Sequence, residues 1–150
     1  MIDDATADEI AATIRSSNAK GKELRKFAMA ELAKLNTYNW CGVYRLKGNS
    51  LVLDEFVGEP TEHTEIPVGL GICGTAVAEN RNQIVDDVSK VGNYLSCSIQ
   101  TKSEIVVLIK NDDELLGQID IDSHQSGAFD RSDELFLERV ATIIAVRWHS

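Results

Sequence analysis

Two cysteines and three acidic residues in the second half of the chain are of the types that thiol redox chemistry requires. Cys73 lies in a glycine-rich run and Cys97 in a polar, loop-like stretch, and the acids Glu104, Asp120 and Asp122 follow them. A thiolate that attacks an oxidised substrate needs a proton donor for the departing oxygen. It also needs a second thiol for recycling. These five residues could supply all of these functions.

The acids admit two interpretations each. Asp120 and Asp122 are two apart in a predicted strand, so they share a face, together with Gln118 and Leu116. Neighbouring carboxylates must meet solvent, bind a cation, or hold a proton with a raised pKa. The interpretation as a solvated strand face is about as well supported as the interpretation as a site, because charged faces are common on antiparallel sheets. Glu104 precedes an apolar run, and taken alone it is more typical of an ordinary strand-end charge than of a third acid of a site.

The aromatic residues and the remaining thiol also have alternatives. Trp40 and Tyr44 lie on one strand face and could wall a small pocket, although such residues more often belong to a core. Cys73 is predicted at a helix N-terminus, which lowers a thiol's pKa. Cys41 points to the opposite strand face and is typical of a buried structural thiol. The spacings of the three cysteines fit no zinc pattern, so we expect no metal site, no cofactor and no structural disulfide.

Composition narrows the class of protein. The chain has 150 residues, of which 43% are hydrophobic and 26% charged, and its net charge is −9. This size predicts one domain spanning residues 1–150. The acidic balance argues against nucleic acid or an anionic membrane as a partner. No apolar run approaches the roughly 18 residues of a membrane span. The first residues lack a signal-peptide pattern, so a cytoplasmic location is expected.

The order of the predicted elements indicates an α+β fold. Helices are expected at residues 6–14, with Thr6 and Glu9 at capping-box spacing, and at 22–35, 69–79 and 130–148, the last capped by Asp130 or Ser132. Strands are expected at residues 40–46, 51–57, 83–85, 104–110 and 115–122, with mostly loop over 58–67 and 86–101. Because hairpins join the main strands, we predict a central antiparallel sheet with the N- and C-terminal helices packed on one face.

Four runs in order carry a resemblance to a known family. They are Tyr38-Asn-Trp-Cys-Gly-Val-Tyr44, Gly71-Ile-Cys-Gly-Thr-Ala76, Ser96-Cys97 followed by Ser103-Glu-Ile-Val106, and Ile119-Asp-Ile-Asp-Ser123 followed by Phe129-Asp130. With these runs the chain resembles the free methionine-R-sulfoxide reductases, which are built on the GAF domain. A generic GAF domain would not be expected to keep both cysteines and all three acids.

The resemblance implies a role for each matched residue. Cys97 matches the catalytic cysteine and Cys73 a recycling cysteine. Trp40 and Tyr44 match the aromatic wall near the substrate's methyl group, and the acids that hold the amino group and polarise the sulfoxide oxygen are Glu104, Asp120 and Asp122. The implied activity is reduction of free methionine-R-sulfoxide, with Glu104 or an aspartate as proton donor. A disulfide and thioredoxin, or a similar dithiol, would complete the cycle.

The chain departs from the family pattern at two positions. Family members commonly carry a further cysteine where this chain has His63, and usually an aspartate where it has Ser98. Recycling is therefore expected to run through Cys73. The alternative function is a non-catalytic GAF module that senses a small molecule or the thiol redox state. A homodimer is a candidate assembly.

Overall fold

A computed structural model of the chain describes residues 1–92, 94–95 and 99–149. It contains four α-helices: α1 (Asp4–Ser16), α2 (Gly21–Leu32), α3 (Gly71–Glu79) and α4 (Arg131–Val146). The six strands are β1 (Trp40–Lys47), β2 (Ser50–Val57), β3 (Glu65–Pro67), β4 (Gln83–Val85), β5 (Ser103–Asn111) and β6 (Glu114–Ser123). A short 3₁₀ turn covers Val88–Lys90.

The strands form one antiparallel sheet in the order β3-β2-β1-β6-β5-β4. The N- and C-terminal strand pairs meet in its middle, because β1 pairs with β6. The predicted α+β fold with a central antiparallel sheet is therefore confirmed. The short strand β3 was expected to be loop; its three residues pair with the start of β2, and so few residues give no recognisable alternation.

The two faces of the sheet are covered differently. Buried side chains of β1 and β6, among them Cys41 and Ile119, pack against α1, α2 and α4, which is the predicted helical face. The opposite face contacts α3 and carries a second cluster that includes Tyr44 and Val106. Alternation along each strand thus sends one set of side chains to the helical layer and the other set toward α3.

Local hydrogen bonds correct two details of the predicted elements. α1 is capped by Asp3, whose carboxylate accepts from the backbone N–H of Thr6, so the predicted cap at Thr6 is wrong. Leu116 packs with the helical face, not with Gln118 as expected. The reason is a register shift between β5 and β6 just before this point, which moves the residue to the other side of the sheet. α4 begins after Asp130 in a capping box, as predicted.

A buried ion pair ties α2 to β2. Arg25 Nε lies 2.5 Å from Asp54 Oδ2, and the guanidinium also covers the ring of Trp148, 4.4 Å from its centroid. Burial by itself raises the pKa of Asp54, but the hydrogen bonds from Arg25 and Lys22 outweigh it and hold the pKa below its ordinary value. Within the described ranges, the structure has no helix both long and apolar enough to cross a membrane.

Candidate functional site

Three acids lie side by side on the sheet face that contacts α3. Strand register pairs Asp122 of β6 with Glu104 of β5 on one side and with Trp40 of β1 on the other, and Asp120 follows two residues earlier. The exposed fraction is 3% for Glu104 and 1% for each aspartate. The interpretations as a solvated strand face and as an ordinary strand-end charge are therefore wrong.

α3 places a thiol over these acids. Cys73 is the third residue of α3, close to the predicted helix start, and its Sγ donates to Glu104 Oε2 at 3.7 Å. Its carbonyl oxygen accepts a hydrogen bond from Gln118 Nε2 at 3.0 Å. Cys73 Sγ and one oxygen each of Glu104 and Asp120 all lie within 4.8 Å of one another. The structure thus brings together three residues of the sequence-predicted site from three different elements.

We expect the carboxyl groups of Glu104 and Asp120 to share a proton. They hydrogen-bond to each other, and a hydrogen bond between two carboxyl groups requires that one of them is protonated. Burial raises the pKa of Glu104 well above its ordinary value, and the charges of Asp120 and Asp122 raise it further. Burial also raises the pKa of Asp120, although hydrogen bonds to Glu104 and Cys73 offset part of this. A proton between the two groups would supply that hydrogen bond and remove one buried charge.

A small cavity of about 10 Å³ opens onto this cluster. Cys73, Glu104 and Asp120 line it together with His63 and mostly apolar residues: Ile66, Leu70, Gly71, Ile72 and Leu95. Larger grooves lie beside α4, but their linings contain no cysteine. The predicted nucleophile, Cys97, lies outside the described residues.

Trp40 and Tyr44 do not line this cavity; both are buried beside it and hold the loop that does. Trp40 Nε1 donates to the carbonyl oxygen of Glu59 at 2.9 Å, and the Tyr44 hydroxyl donates to that of His63 at 2.7 Å. The indole lies across Gly42, where an added Cβ would come within 2.5 Å of Trp40 Cζ3. Only glycine fits there, a role that sequence reasoning missed although a glycine within a strand is its signal.

Comparisons with known proteins agree with this geometry. The family model described as GAF domain matches residues 23–148. A type II free methionine-R-sulfoxide reductase from Thermoplasma acidophilum is 37% identical, with a TM-score of 0.80 over 93% of this chain and 95% of that chain. The chain belongs to the free methionine-R-sulfoxide reductase family of GAF domains. The fRMsr of Staphylococcus aureus in complex with substrate is 36% identical, with a TM-score of 0.84 over 97% of this chain and 94% of that chain.

Curated relatives in the same family are longer than the region that matches. The free methionine-R-sulfoxide reductase of Saccharomyces cerevisiae is 43% identical over 110 residues, which cover 71% of this chain and 61% of the yeast protein. The Escherichia coli protein of the same description is 38% identical over 107 residues, 71% of this chain and 64% of that protein. The chain therefore spans about three-fifths of the length of these two relatives.

Two further residues lie near the site, one on each face of the sheet. Gln118 fixes the backbone of Cys73 and was noted in the sequence only as a neighbour of the aspartates. Cys41 lies on the opposite sheet face and is buried, as predicted. Burial, and then the charges of Asp122 and Asp120, raise the pKa of the Cys41 thiol, so it stays protonated and unreactive.

Proposed function

We propose that the chain reduces free methionine-R-sulfoxide to methionine. The observation that carries this proposal is the buried cluster of Cys73, Glu104 and Asp120, in which acids with raised pKa values lie beside a thiol at a small cavity. A buried acid with a raised pKa can donate its proton at neutral pH. The same acidic wall complements an ammonium group, which a free amino acid has and a peptide-bound methionine lacks. Family membership supports this substrate class.

In the proposed reaction the Cys97 thiolate attacks the sulfoxide sulfur. Glu104, or one of the aspartates Asp120 and Asp122, donates a proton to the sulfoxide oxygen. The oxygen passes to the cysteine, so that methionine leaves and Cys97 becomes a sulfenic acid. The substrate sulfur is reduced by two electrons and the cysteine sulfur is oxidised by two. Trp40 and Tyr44 hold the loop beside the cavity through the carbonyl oxygens of Glu59 and His63.

Recycling is proposed to run through Cys73. Its thiol condenses with the sulfenic acid, which releases water and forms a Cys73–Cys97 disulfide. Thioredoxin or a similar dithiol then reduces this disulfide and is itself oxidised. His63 lines the cavity but cannot form the disulfide; at most it alters a neighbouring thiol's pKa or moves protons.

A single-turnover assay tests the nucleophile. Wild-type protein without reductant should release about one methionine per chain, and Cys97→Ser should release none. Cys41→Ala is the matched control, because it removes a thiol from the opposite sheet face and should leave the burst intact. Methionine release by Cys97→Ser equal to wild type would show that the assignment is wrong.

Substrate comparison tests the role of the acids. Free methionine-R-sulfoxide should turn over, whereas the N-acetylated form and the S epimer should react at least tenfold more slowly, since about 1.4 kcal/mol of lost binding gives that factor. Asp122→Asn and Glu104→Gln should slow the reductive step. Equal turnover of all three compounds would remove the basis for a site specific for the free amino acid.

A cycling assay with thioredoxin tests the second thiol. Cys73→Ser should leave the first turnover intact and abolish most of the thioredoxin-dependent turnover, and mass spectrometry of oxidised wild type should detect the Cys73–Cys97 link. His63→Cys should speed cycling if position 63 faces Cys97. Normal cycling by Cys73→Ser would contradict the scheme, because Cys97 sulfenic acid would then be reduced directly.

A homodimer and a cytoplasmic location are further proposals. Leu135 and Val146 leave exposed apolar side chains on α4, which supports contact with a second copy. Light scattering behind size exclusion measures the mass directly, and a monomer at all concentrations would exclude the dimer. Fractionation of cells that produce the chain tests the location.

A further inference from the structure

The cluster of Cys73, Glu104 and Asp120 has the dimensions of a metal site. Cys73 Sγ lies 3.7 Å from Glu104 Oε2, and all three donor atoms lie within 4.8 Å of one another. In a tetrahedral zinc site, bonds of about 2.3 Å to sulfur and 2.0 Å to oxygen put those ligand atoms about 3.5 Å apart. The sulfur and oxygen atoms would therefore need to move by well under 1 Å to reach zinc-binding geometry.

A second observation indicates that a cation would balance the charge of this cluster. Asp120 is almost completely buried and lines the cavity, and the hydrogen bonds of its carboxyl group are to Glu104 and the Cys73 thiol, the other two members of the cluster. Because no other charge in this set is positive, the buried carboxylates are compensated by a proton or by a cation. The shared proton with Glu104 is one solution, and a metal ion that displaces this proton is the other.

We propose that Cys73, Glu104 and Asp120 bind one Zn²⁺ ion when Cys73 is reduced. One thiolate and two carboxylates make a ligand set that favours Zn²⁺ over Mg²⁺ and Ca²⁺, because the thiolate is a soft ligand. Three protein ligands leave a fourth position for water, as in open zinc sites. The thiol proton and the shared carboxyl proton pass to solvent on binding, with no change in oxidation state, so affinity rises with pH.

Zinc in this position links metal binding to the redox state of the chain. The ion occupies the acids that are proposed to hold the substrate's ammonium and blocks the thiol proposed for recycling. Oxidation of Cys73 to a disulfide removes the thiolate ligand and releases the ion. Bound zinc thus inhibits the reduced, substrate-free form. This regulation is additional to the proposed reductase reaction.

Cobalt spectroscopy tests the site without any enzymatic assay. Co²⁺ added to the reduced protein should produce a thiolate-to-metal charge-transfer band at one ion per chain, and added Zn²⁺ should remove it by displacement. The band should disappear in Cys73→Ser and persist in Cys97→Ser. Loss of the band in Cys97→Ser with retention in Cys73→Ser would overturn the assignment.

Carboxylate variants identify the other two ligands. Asp120→Asn and Glu104→Gln should each weaken Zn²⁺ affinity at least tenfold, about 1.4 kcal/mol. Asp122→Asn is the matched control: Asp122 lies on the same strand face but outside the three-residue set, so affinity should change less than about threefold. Circular dichroism confirms that each variant is folded. Equal effects of all three substitutions, or no binding at Zn²⁺ concentrations on the order of 10 µM, would overturn the proposal while leaving the reductase assays unaffected.

Discussion

Replacement of Glu104 by glutamine tests whether the buried acids share a proton. An oxygen of Glu104 and one of Asp120 lie within 4.8 Å of each other, and two unit charges at that separation repel by about 3.5 kcal/mol at an effective dielectric constant of 20. Burial, and then the charges of Asp120 and Asp122, raise the pKa of Glu104, so we expect the folded protein to keep a proton on the pair. Glutamine keeps the shape of the side chain without the ionisable group.

The pH dependence follows from the direction of that shift. Because the folded pKa lies above the unfolded one, the protonated carboxyl contributes stability that is complete below about pH 4 and is lost as pH rises through the folded pKa. One proton gives a slope of up to about 1.4 kcal/mol per pH unit. The free energy of unfolding of Glu104→Gln, relative to wild type, should therefore increase by up to about 2.7 kcal/mol from pH 5 to pH 7.

Urea unfolding at several pH values between 5 and 8 measures this difference, with m-values compared at each pH. Glu9→Gln is the matched control, because Glu9 is exposed on α1 and its replacement should give a constant offset. Asp120→Asn should show the same trend as Glu104→Gln, since burial raises the pKa of Asp120 as well. A difference between Glu104→Gln and wild type that does not vary with pH would refute the shared proton.

Three further substitutions test the surroundings of the site. Gly42→Ala should cost about 1–3 kcal/mol of stability, because the new methyl group overlaps the ring of Trp40. Tyr44→Phe should cost about 1 kcal/mol and reduce turnover of free methionine sulfoxide, since the hydroxyl no longer holds the loop carbonyl beside the cavity. Asp54→Asn should cost about 3 kcal/mol near neutral pH, because it leaves the buried Arg25 with less compensation. Since the pKa of Asp54 is depressed, this cost should shrink as pH falls below about 4.

Each of these three measurements has a control. Gly92→Ala places a methyl group where no atom of the described residues lies within 4 Å, so it should leave the melting temperature nearly unchanged. An equal loss in Gly92→Ala and Gly42→Ala would contradict the overlap argument. For Tyr44→Phe, turnover at the wild-type level would show that the loop needs no such anchor. For Asp54→Asn, denaturant unfolding at pH 3 and pH 7 measures the loss of stability relative to wild type. A loss that grows as pH falls would contradict an ionised Asp54 at neutral pH.

The sequence by itself determined the features that depend on near neighbours. The two-residue period of a strand put Asp120 and Asp122 on one face, and the capping pattern after Asp130 located the start of the last helix. Cys41 was assigned to the opposite, buried face for the same reason. These inferences hold because strand alternation and helix capping are set by residues only a few positions apart.

Only the tertiary structure decided which of these residues meet and in what environment. Cys73 and Glu104 are separated by 31 positions, and their contact depends on how α3 packs across the sheet. That packing also buries the acids, which strand periodicity left equally compatible with solvent. The cluster of Cys73, Glu104 and Asp120 could not be predicted from the sequence for the same reason, because metal-site patterns are recognised by close spacing. A pKa depends on burial and on charges within a few ångströms, and these are properties of the folded chain.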